Sequence, residues 1–381
     1  MEDLNCVRYY TDALRRLVLG IIVSTSMFAQ SALQQAVILT REKRYAEANK
    51  MLEGVNEPAQ PNQRLAFHRL KAAIASGLRD NTAAAREMRA ALAFAPNDPN
   101  LLLATSTAEF EANFLNDALQ HARQAGDVPI AQALIGDIEE KRGHFVEAAK
   151  AYQAAVTLAP DREQYRIDAA FELIKHQAFQ PAIDLLNQSI PLFPQSAKLR
   201  VLLGIASYAQ GEVKDAETTF EDAIRLGPHL ESAYRCLARI VLQSSAAPPQ
   251  SVVDSLCAFD PIVCSALKLR AARETGNRAM EQQAIAGLRL APPESAIGRC
   301  ELARAYEWTG QLEDARIQME ECVRLDPVPQ NHYRLGLLYK KLGLGDLARR
   351  EMELRNQTLQ KMSEQTALGL SALESSQSTL K

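Results

Sequence analysis

The sequence predicts an all-α chain folded as a solenoid of about ten helix–turn–helix repeats. Apolar residues recur at spacings of three and four along almost the whole chain, which is the period of an α-helix. A longer period is also present, since Pro160, Pro194 and Pro228 stand 34 residues apart. The 381 residues are 47% hydrophobic, which suffices for the continuous core of a long repeat array.

The clearest copy of the second helix in a repeat reads EVKDAETTFEDAIRLGP. Its pattern is an apolar residue, Ala, an aromatic residue, a small residue and a closing Pro. The pattern is filled by Val213, Ala216, Phe220, Ala223 and Pro228. Because proline cannot continue a helix, we expect this helix to end just before Pro228.

A first helix precedes each second helix and carries small residues of its own. Leu203-Gly204 and Leu335-Gly336 occupy the same point in two copies, and Gly211 lies between the two helices. Helix axes approach closely only where the crossing residues are small, so we expect Gly204 to lie at such a crossing. Gly211 suits the left-handed conformation that ends a helix.

This pattern resembles the tetratricopeptide repeat (TPR) over residues 29–362. The match is close in 129–162, 197–230 and 296–329 and looser elsewhere. The resemblance implies a right-handed α-solenoid whose first helices line a concave face. In this family that face commonly holds an extended peptide or a helix of a partner protein.

The regular array has three interruptions or ends. We interpret 1–31 as a signal peptide or N-terminal anchor, 32–362 as the solenoid and 363–381 as a C-terminal cap or tail. Residues 356–371, which span the end of the solenoid and the start of this tail, could form a capping helix. The turn-forming stretch QSSAAPPQ, 243–250, predicts a loop and a possible joint in an otherwise continuous solenoid.

The amino-terminal segment has the order of a secretory signal. Arg15 and Arg16 precede an apolar run from Leu17 to Phe28, and small residues follow up to Ala32. The run is short for a membrane-spanning helix, which needs about 20 residues. We therefore expect an exported chain, periplasmic or in the cell envelope, with a membrane-anchored or cytoplasmic chain as the alternative.

The chain contains six cysteines. Cys6 lies in the predicted leader, and the other five are Cys236, Cys257, Cys264, Cys300 and Cys322. Their spacing indicates neither zinc nor thioredoxin chemistry. They fit either buried small hydrophobes or, in an oxidising compartment, one or two disulfides.

No catalytic, cofactor-binding or metal-binding motif stands out among the residues. The six histidines are scattered, and neither a nucleophile elbow nor a phosphate-binding loop is present. The net charge of −3 argues against nucleic acid as the main partner, because phosphate binding needs clustered Lys and Arg. The sequence thus favours a non-enzyme without cofactors.

The resemblance implies a partner-binding face that combines aromatic and cationic side chains. Such a face suits a peptide with apolar and acidic groups. The predicted positions are Phe171, Lys175, Val201, Ile205, Tyr208, Arg235, Arg239, Arg304, Trp308, Tyr333, Lys340 and Lys341.

Together these observations predict a non-enzymatic scaffold that binds peptide or helical segments of partner proteins in a bacterial envelope. The alternatives are a cytoplasmic or membrane-tethered adaptor and an accessory subunit of an envelope enzyme. An enzyme of this kind would have its site in the irregular stretch 231–295.

Overall fold

The computed structural model describes residues 27–244 and 247–377, and every regular element within them is an α-helix. Twenty helices follow one another with short connections. In chain order they are α1 Met27–Arg41, α2 Tyr45–Leu52, α3 Pro61–Gly77, α4 Asn81–Leu92, α5 Pro99–Glu111, α6 Leu115–Gln124, α7 Pro129–Lys141, α8 Phe145–Leu158, α9 Glu163–Lys175, α10 Phe179–Ser189, α11 Ala197–Gln210, α12 Val213–Leu226, α13 Glu231–Gln243, α14 Gln250–Phe259, α15 Pro261–Thr275, α16 Arg278–Arg289, α17 Ala296–Trp308, α18 Leu312–Leu325, α19 Pro329–Lys341 and α20 Gly345–Gln377.

These helices form consecutive first-and-second pairs, which confirms the predicted all-α solenoid of helix–turn–helix repeats. The odd-numbered helices are the first helices of the repeats and the even-numbered ones are the second helices. Each pair has one apolar stripe per helix and cannot bury both stripes alone, so it packs on the pairs before and after it.

The chain divides into two compact units within α9, one ending at Glu172 and the other beginning at Leu173. In the second unit a large core runs from Val201 to Ala305 and includes Phe220, Leu237 and Leu269. The predicted loop at 243–250 lies between α13 and α14, inside this second unit; of its residues, 245 and 246 lie outside the described part.

The first and second helices of a repeat approach each other closely at the predicted glycine. A Cβ added at Gly204 would stand 2.8 Å from the Phe220 ring, closer than real side chains approach. Gly136 meets Tyr152 at the same distance in another repeat, and Gly336 meets the end of Met352. The small residue therefore accommodates the large residue of the second helix, with Ala216 and Ala223 buried beside it.

The turns between first and second helices adopt left-handed backbone conformations. Gly211 has φ 92°, as predicted. In less regular repeats the same turn is made by residues other than glycine, among them Arg79 with φ 64° and Asn113 with φ 65°. Side chains in this conformation are strained by about 1–2 kcal/mol.

The carboxyl end of the described chain is one long helix. Helix α20 runs without a break from Gly345 to Gln377, so residues 356–371 continue the last second helix. The stretch lacks proline, and its single Gly369 does not interrupt the helix.

The predicted signal segment lies outside the described residues except for 27–31, which belong to the start of α1. Within the described part, no helix is both long enough and apolar enough to cross a membrane.

We predict that Arg79→Gly stabilises the protein by about 0.5–1 kcal/mol. Glycine adopts the left-handed backbone of this exposed turn without strain, which stabilises the folded state. It also raises the entropy of the unfolded chain, which offsets only part of that gain. Urea denaturation followed by circular dichroism measures the change. The matched control is Arg86→Gly, an exposed arginine inside α4, which should instead cost about 1 kcal/mol. A loss of stability in both variants would contradict the account of the turn.

Candidate functional site

The candidate site is the face of the second unit formed by α11, α13, α15, α17 and α19, called here the first-helix face. Ile205, Tyr208 and Trp308 are half-buried and pack against the core of this unit. Each side chain is held by the core while part of it reaches solvent. Such rigid, partly exposed apolar groups are suited to contact a partner without further ordering.

The predicted site residues differ in exposure. Val201 is only 2% exposed, so it belongs to the core that supports the face and offers no surface to a partner. Phe171, Ile205, Tyr208, Arg304 and Trp308 are half-buried. The exposed group consists of Lys175, Arg235, Arg239, Tyr333, Lys340 and Lys341.

Two exposed cations of the predicted site pair with acidic residues of first helices. Arg235 pairs with Glu231 at 3.0 Å, both side chains being well exposed. Lys341 of α19 pairs with Glu307 of α17 and so joins two neighbouring repeats. Exposed pairs of this kind contribute little to stability and exchange readily for a ligand's carboxylate.

Arg239 lies near residues of two other helices of the second unit. Its guanidinium is 3.7 Å from the carboxylate of Asp326, which follows α18. It also lies near Tyr208, where burial raises the pKa of the phenol and the positive charge of Arg239 opposes that rise. Arg239 therefore connects the aromatic part of the face on α11 to the end of α18.

Trp308, the single tryptophan of the chain, is covered on one ring face by a cation. The Arg273 guanidinium of α15 lies 4.9 Å from the ring centroid. Arg273 in turn pairs with Glu281 at 3.2 Å. This cation–π contact holds α15 against α17.

Tyr333 also makes a cation–π contact, in its case with the second helix of its repeat. The Arg355 guanidinium of α20 lies 5.4 Å from the Tyr333 ring. Although 45% exposed, Tyr333 is thus tied to the second helix of its own repeat.

The sequence reasoning missed Arg270, which organises the irregular region of the second unit. Its guanidinium donates hydrogen bonds to the carbonyls of Val241 at 3.0 Å and Ser244 at 3.1 Å, and also to that of Leu242. These carbonyls belong to the last turn and end of α13 and lack partners within their own helix. The proline-rich connection after α13 was the only sequence signal that such a cap was needed.

Two disulfides reinforce the same region. Cys257–Cys264 joins α14 to α15, and Cys300–Cys322 joins α17 to α18. Cys236 remains a thiol, and burial raises its pKa. Of the two interpretations that the sequence left open, the disulfides apply to four of the five cysteines.

In the first unit, buried glutamates pair with basic side chains of neighbouring helices. Glu109 is fully buried and accepts hydrogen bonds from Arg89 at 2.5 Å and His121 at 2.7 Å. Glu87 lies 2.8 Å from His68, and its pKa is lowered because hydrogen bonds from His68 and Lys71 outweigh the effect of burial. The Arg89–Glu109 pair joins adjacent repeats, whereas the His121–Glu109 and His68–Glu87 contacts each join the two helices of one repeat.

Asp137 of α7 is the exception among these carboxylates. Burial raises its pKa to about 7, against the hydrogen bond that the Tyr152 hydroxyl donates at 2.5 Å. The negative charges of Asp168, Glu172 and Glu140 raise it further. Asp137 therefore changes charge near neutral pH.

The repeat of α17 and α18 matches a known repeat family. Residues 298–329 match the family model TPR_8, described as Tetratricopeptide repeat. This stretch of the chain is a tetratricopeptide repeat. This confirms the resemblance inferred from the residues, and the TPR fold indicates a scaffold for protein–protein interaction.

Solved structures of other proteins are similar to this chain at low identity. One is a tetratricopeptide repeat protein from Parabacteroides merdae, with 13% identity, a TM-score of 0.45 and coverage of 76% of this chain and 98% of that chain. Another is PilW, described as a type IV pilus biogenesis factor, with 16% identity, a TM-score of 0.44 and coverage of 56% and 100%. No curated protein sequence is significantly similar to this chain.

We predict that Asp137→Asn removes part of the pH dependence of the protein's stability. An unfolded Asp ionises near 3.8 and the folded one near 7, so between these values only the folded state holds the proton. The free energy of unfolding should therefore fall as pH rises through this window, by about 1.4 kcal/mol per unit of pKa difference.

Urea denaturation at pH 5 and pH 8 measures this effect. The Asn variant should lose less stability than the wild type between these pH values and be more stable at pH 8 by about 1–3 kcal/mol. Asp215→Asn, at an exposed position on α12, is the control and should leave the profile unchanged. Superimposable profiles for the wild type and Asp137→Asn would refute the assignment.

Proposed function

We propose that this protein is a non-enzymatic scaffold that binds peptide or helical segments of partner proteins on the concave, first-helix face of its solenoid. The observation that carries the proposal is the set of half-buried side chains Ile205, Tyr208 and Trp308, all held on one core. Large side chains fixed in this way lose little entropy when a partner covers them.

The charged groups around these side chains define the partner more closely. Arg304 lies on the same first helix as Trp308, and Arg239 lies on the first helix after that of Tyr208. These cations favour a segment that carries both apolar and acidic residues. The exposed pairs Arg235–Glu231 and Lys341–Glu307 can rearrange to meet such a segment.

We also propose that the chain is exported and works in the cell envelope. The signal-like order of residues 1–31 and the two disulfides Cys257–Cys264 and Cys300–Cys322 support this location, because disulfides persist in oxidising compartments. A cytoplasmic or membrane-tethered adaptor with the same repeats is the alternative.

Affinity capture with the full chain tests the binding face. Tyr208→Ala with Trp308→Ala should reduce the amount of a specifically captured protein by about tenfold or more, since buried aromatic anchors dominate interface energy. The control is Ile317→Ala, which removes a 48% exposed apolar side chain from the second helix α18 and should change nothing. Equal capture by both variants, with circular dichroism spectra intact, would contradict the assignment of the face.

Fractionation followed by mass spectrometry tests the location. We expect a mature amino terminus near Ala32 and peptides linked through Cys257–Cys264 and Cys300–Cys322. A cytoplasmic chain with Met1 intact and all thiols reduced would favour the adaptor instead.

A further inference from the structure

The first-helix face of the second unit contains more buried positive charge than its own carboxylates neutralise. Glu301 of α17 has a side chain only 4% exposed, and two guanidinium groups converge on it. Arg304 lies at 2.9 Å from one carboxylate oxygen, and Arg270 at 3.7 Å from the other. Both arginine side chains are themselves mostly buried, at 14% and 18% exposure.

Arg334 of α19 adds a third positive charge to this group. It precedes Leu335-Gly336 just as Glu301 precedes Leu302-Ala303, so the two residues occupy the same register position on neighbouring first helices. Among the side chains that the structure describes, none forms an ion pair or hydrogen bond with Arg334, which is half-buried. Burial lowers the pKa of Arg334, and the positive charge of Arg304 lowers it further.

The remaining neighbours do not neutralise the group. Glu307 attracts Arg334 but forms its ion pair with Lys341. Glu274 attracts Arg270 only from an exposed position. The Nε of Arg270 is buried and has no hydrogen-bond partner. Arg304 and Arg270 therefore share one buried carboxylate, and Arg270 also donates to the carbonyls at the end of α13. The charge of Arg334 beside them has no ion pair among the described side chains, an arrangement that costs free energy unless an outside anion completes it.

We propose that Arg270, Arg304 and Arg334 form a binding site for a carboxylate group of a partner polypeptide. The planar fork of an arginine matches the two oxygens of a carboxylate. The site lies one helical turn from Trp308 on α17, so an acidic side chain bound there places its neighbours against the apolar part of the face. This surrounding apolar surface favours a polypeptide over a free inorganic anion.

This inference rests on the proposed function and names one chemical group of the partner. It also explains why the free chain keeps several arginines close together in a half-buried site. Their mutual repulsion costs stability, and such a cost is retained where it serves binding.

Hexaglutamate is the probe that tests the site, and Trp308 is the reporter because it is the chain's single tryptophan. At low ionic strength, hexaglutamate should produce a saturable change in Trp308 emission. Arg334→Gln should raise the dissociation constant tenfold or more. Arg225→Gln on α12, which removes an exposed charge from a second helix, should leave the dissociation constant unchanged.

Three further arms make the test decisive. Hexaglutamine should not bind, and Arg334→Lys should bind more weakly than the wild type because it keeps the charge without the fork. Inorganic phosphate should displace hexaglutamate only weakly. Circular dichroism verifies that each variant is folded, and Arg304→Gln replaces Arg334→Gln if the latter does not fold.

Equal affinities of the wild type and Arg334→Gln for hexaglutamate would overturn the proposal, as would the absence of any response in the wild type. Strong displacement by phosphate would overturn the assignment to a carboxylate. If partner capture still depends on Tyr208 and Trp308 in these cases, only the anion site fails. If hexaglutamate binds through Arg334 but no protein is captured through those residues, the scaffold function fails instead.

Discussion

Every repeat depends on how closely its first helix can approach its second. Gly204 and Phe220 show the constraint most clearly, since an added Cβ would lie 2.8 Å from the ring. The glycine allows one large residue of the second helix to fill the crossing, and the alanines beside it are completely buried. Because each pair is then too thin to bury its own core, it must stack on its neighbours, and stacking brings the first helices side by side. The candidate binding face is a consequence of this packing.

Charge is distributed over the repeats in two ways. In the first unit, buried carboxylates such as Glu109 are surrounded by enough donors to be satisfied within the chain. In the second unit, the buried carboxylate of Glu301 is shared by Arg270 and Arg304, and the charge of Arg334 lies nearby without an ion pair among the described side chains. Since leaving a buried charge unsatisfied is costly, the first arrangement is structural, and the proposed partner carboxylate would complete the second. The disulfides and the Arg270 cap hold the helices of this second arrangement in place despite the irregular connection after α13.

Sequence reasoning predicted the repeats because their spacing is a local signal, and the Gly211 turn follows directly from backbone sterics. It did not predict the continuous α20, because nothing in a polar helical stretch marks where one helix should give way to another. Nor could it pair the cysteines or find the Arg270 contacts, which join residues more than one helix apart in the chain. Val201 shows the limit for the site: register places a residue on a first helix, but its 2% exposure is set by neighbouring repeats.

A double-mutant cycle at the Gly204–Phe220 crossing tests the packing account most directly. Gly204→Ala, Phe220→Leu and the double variant are compared with the wild type by urea denaturation. The account predicts that Gly204→Ala costs about 1–3 kcal/mol in the wild type and much less when the ring is absent, which gives a coupling energy above about 0.5 kcal/mol. Additive effects of the two substitutions would contradict the claim that this contact sets the distance between the helices.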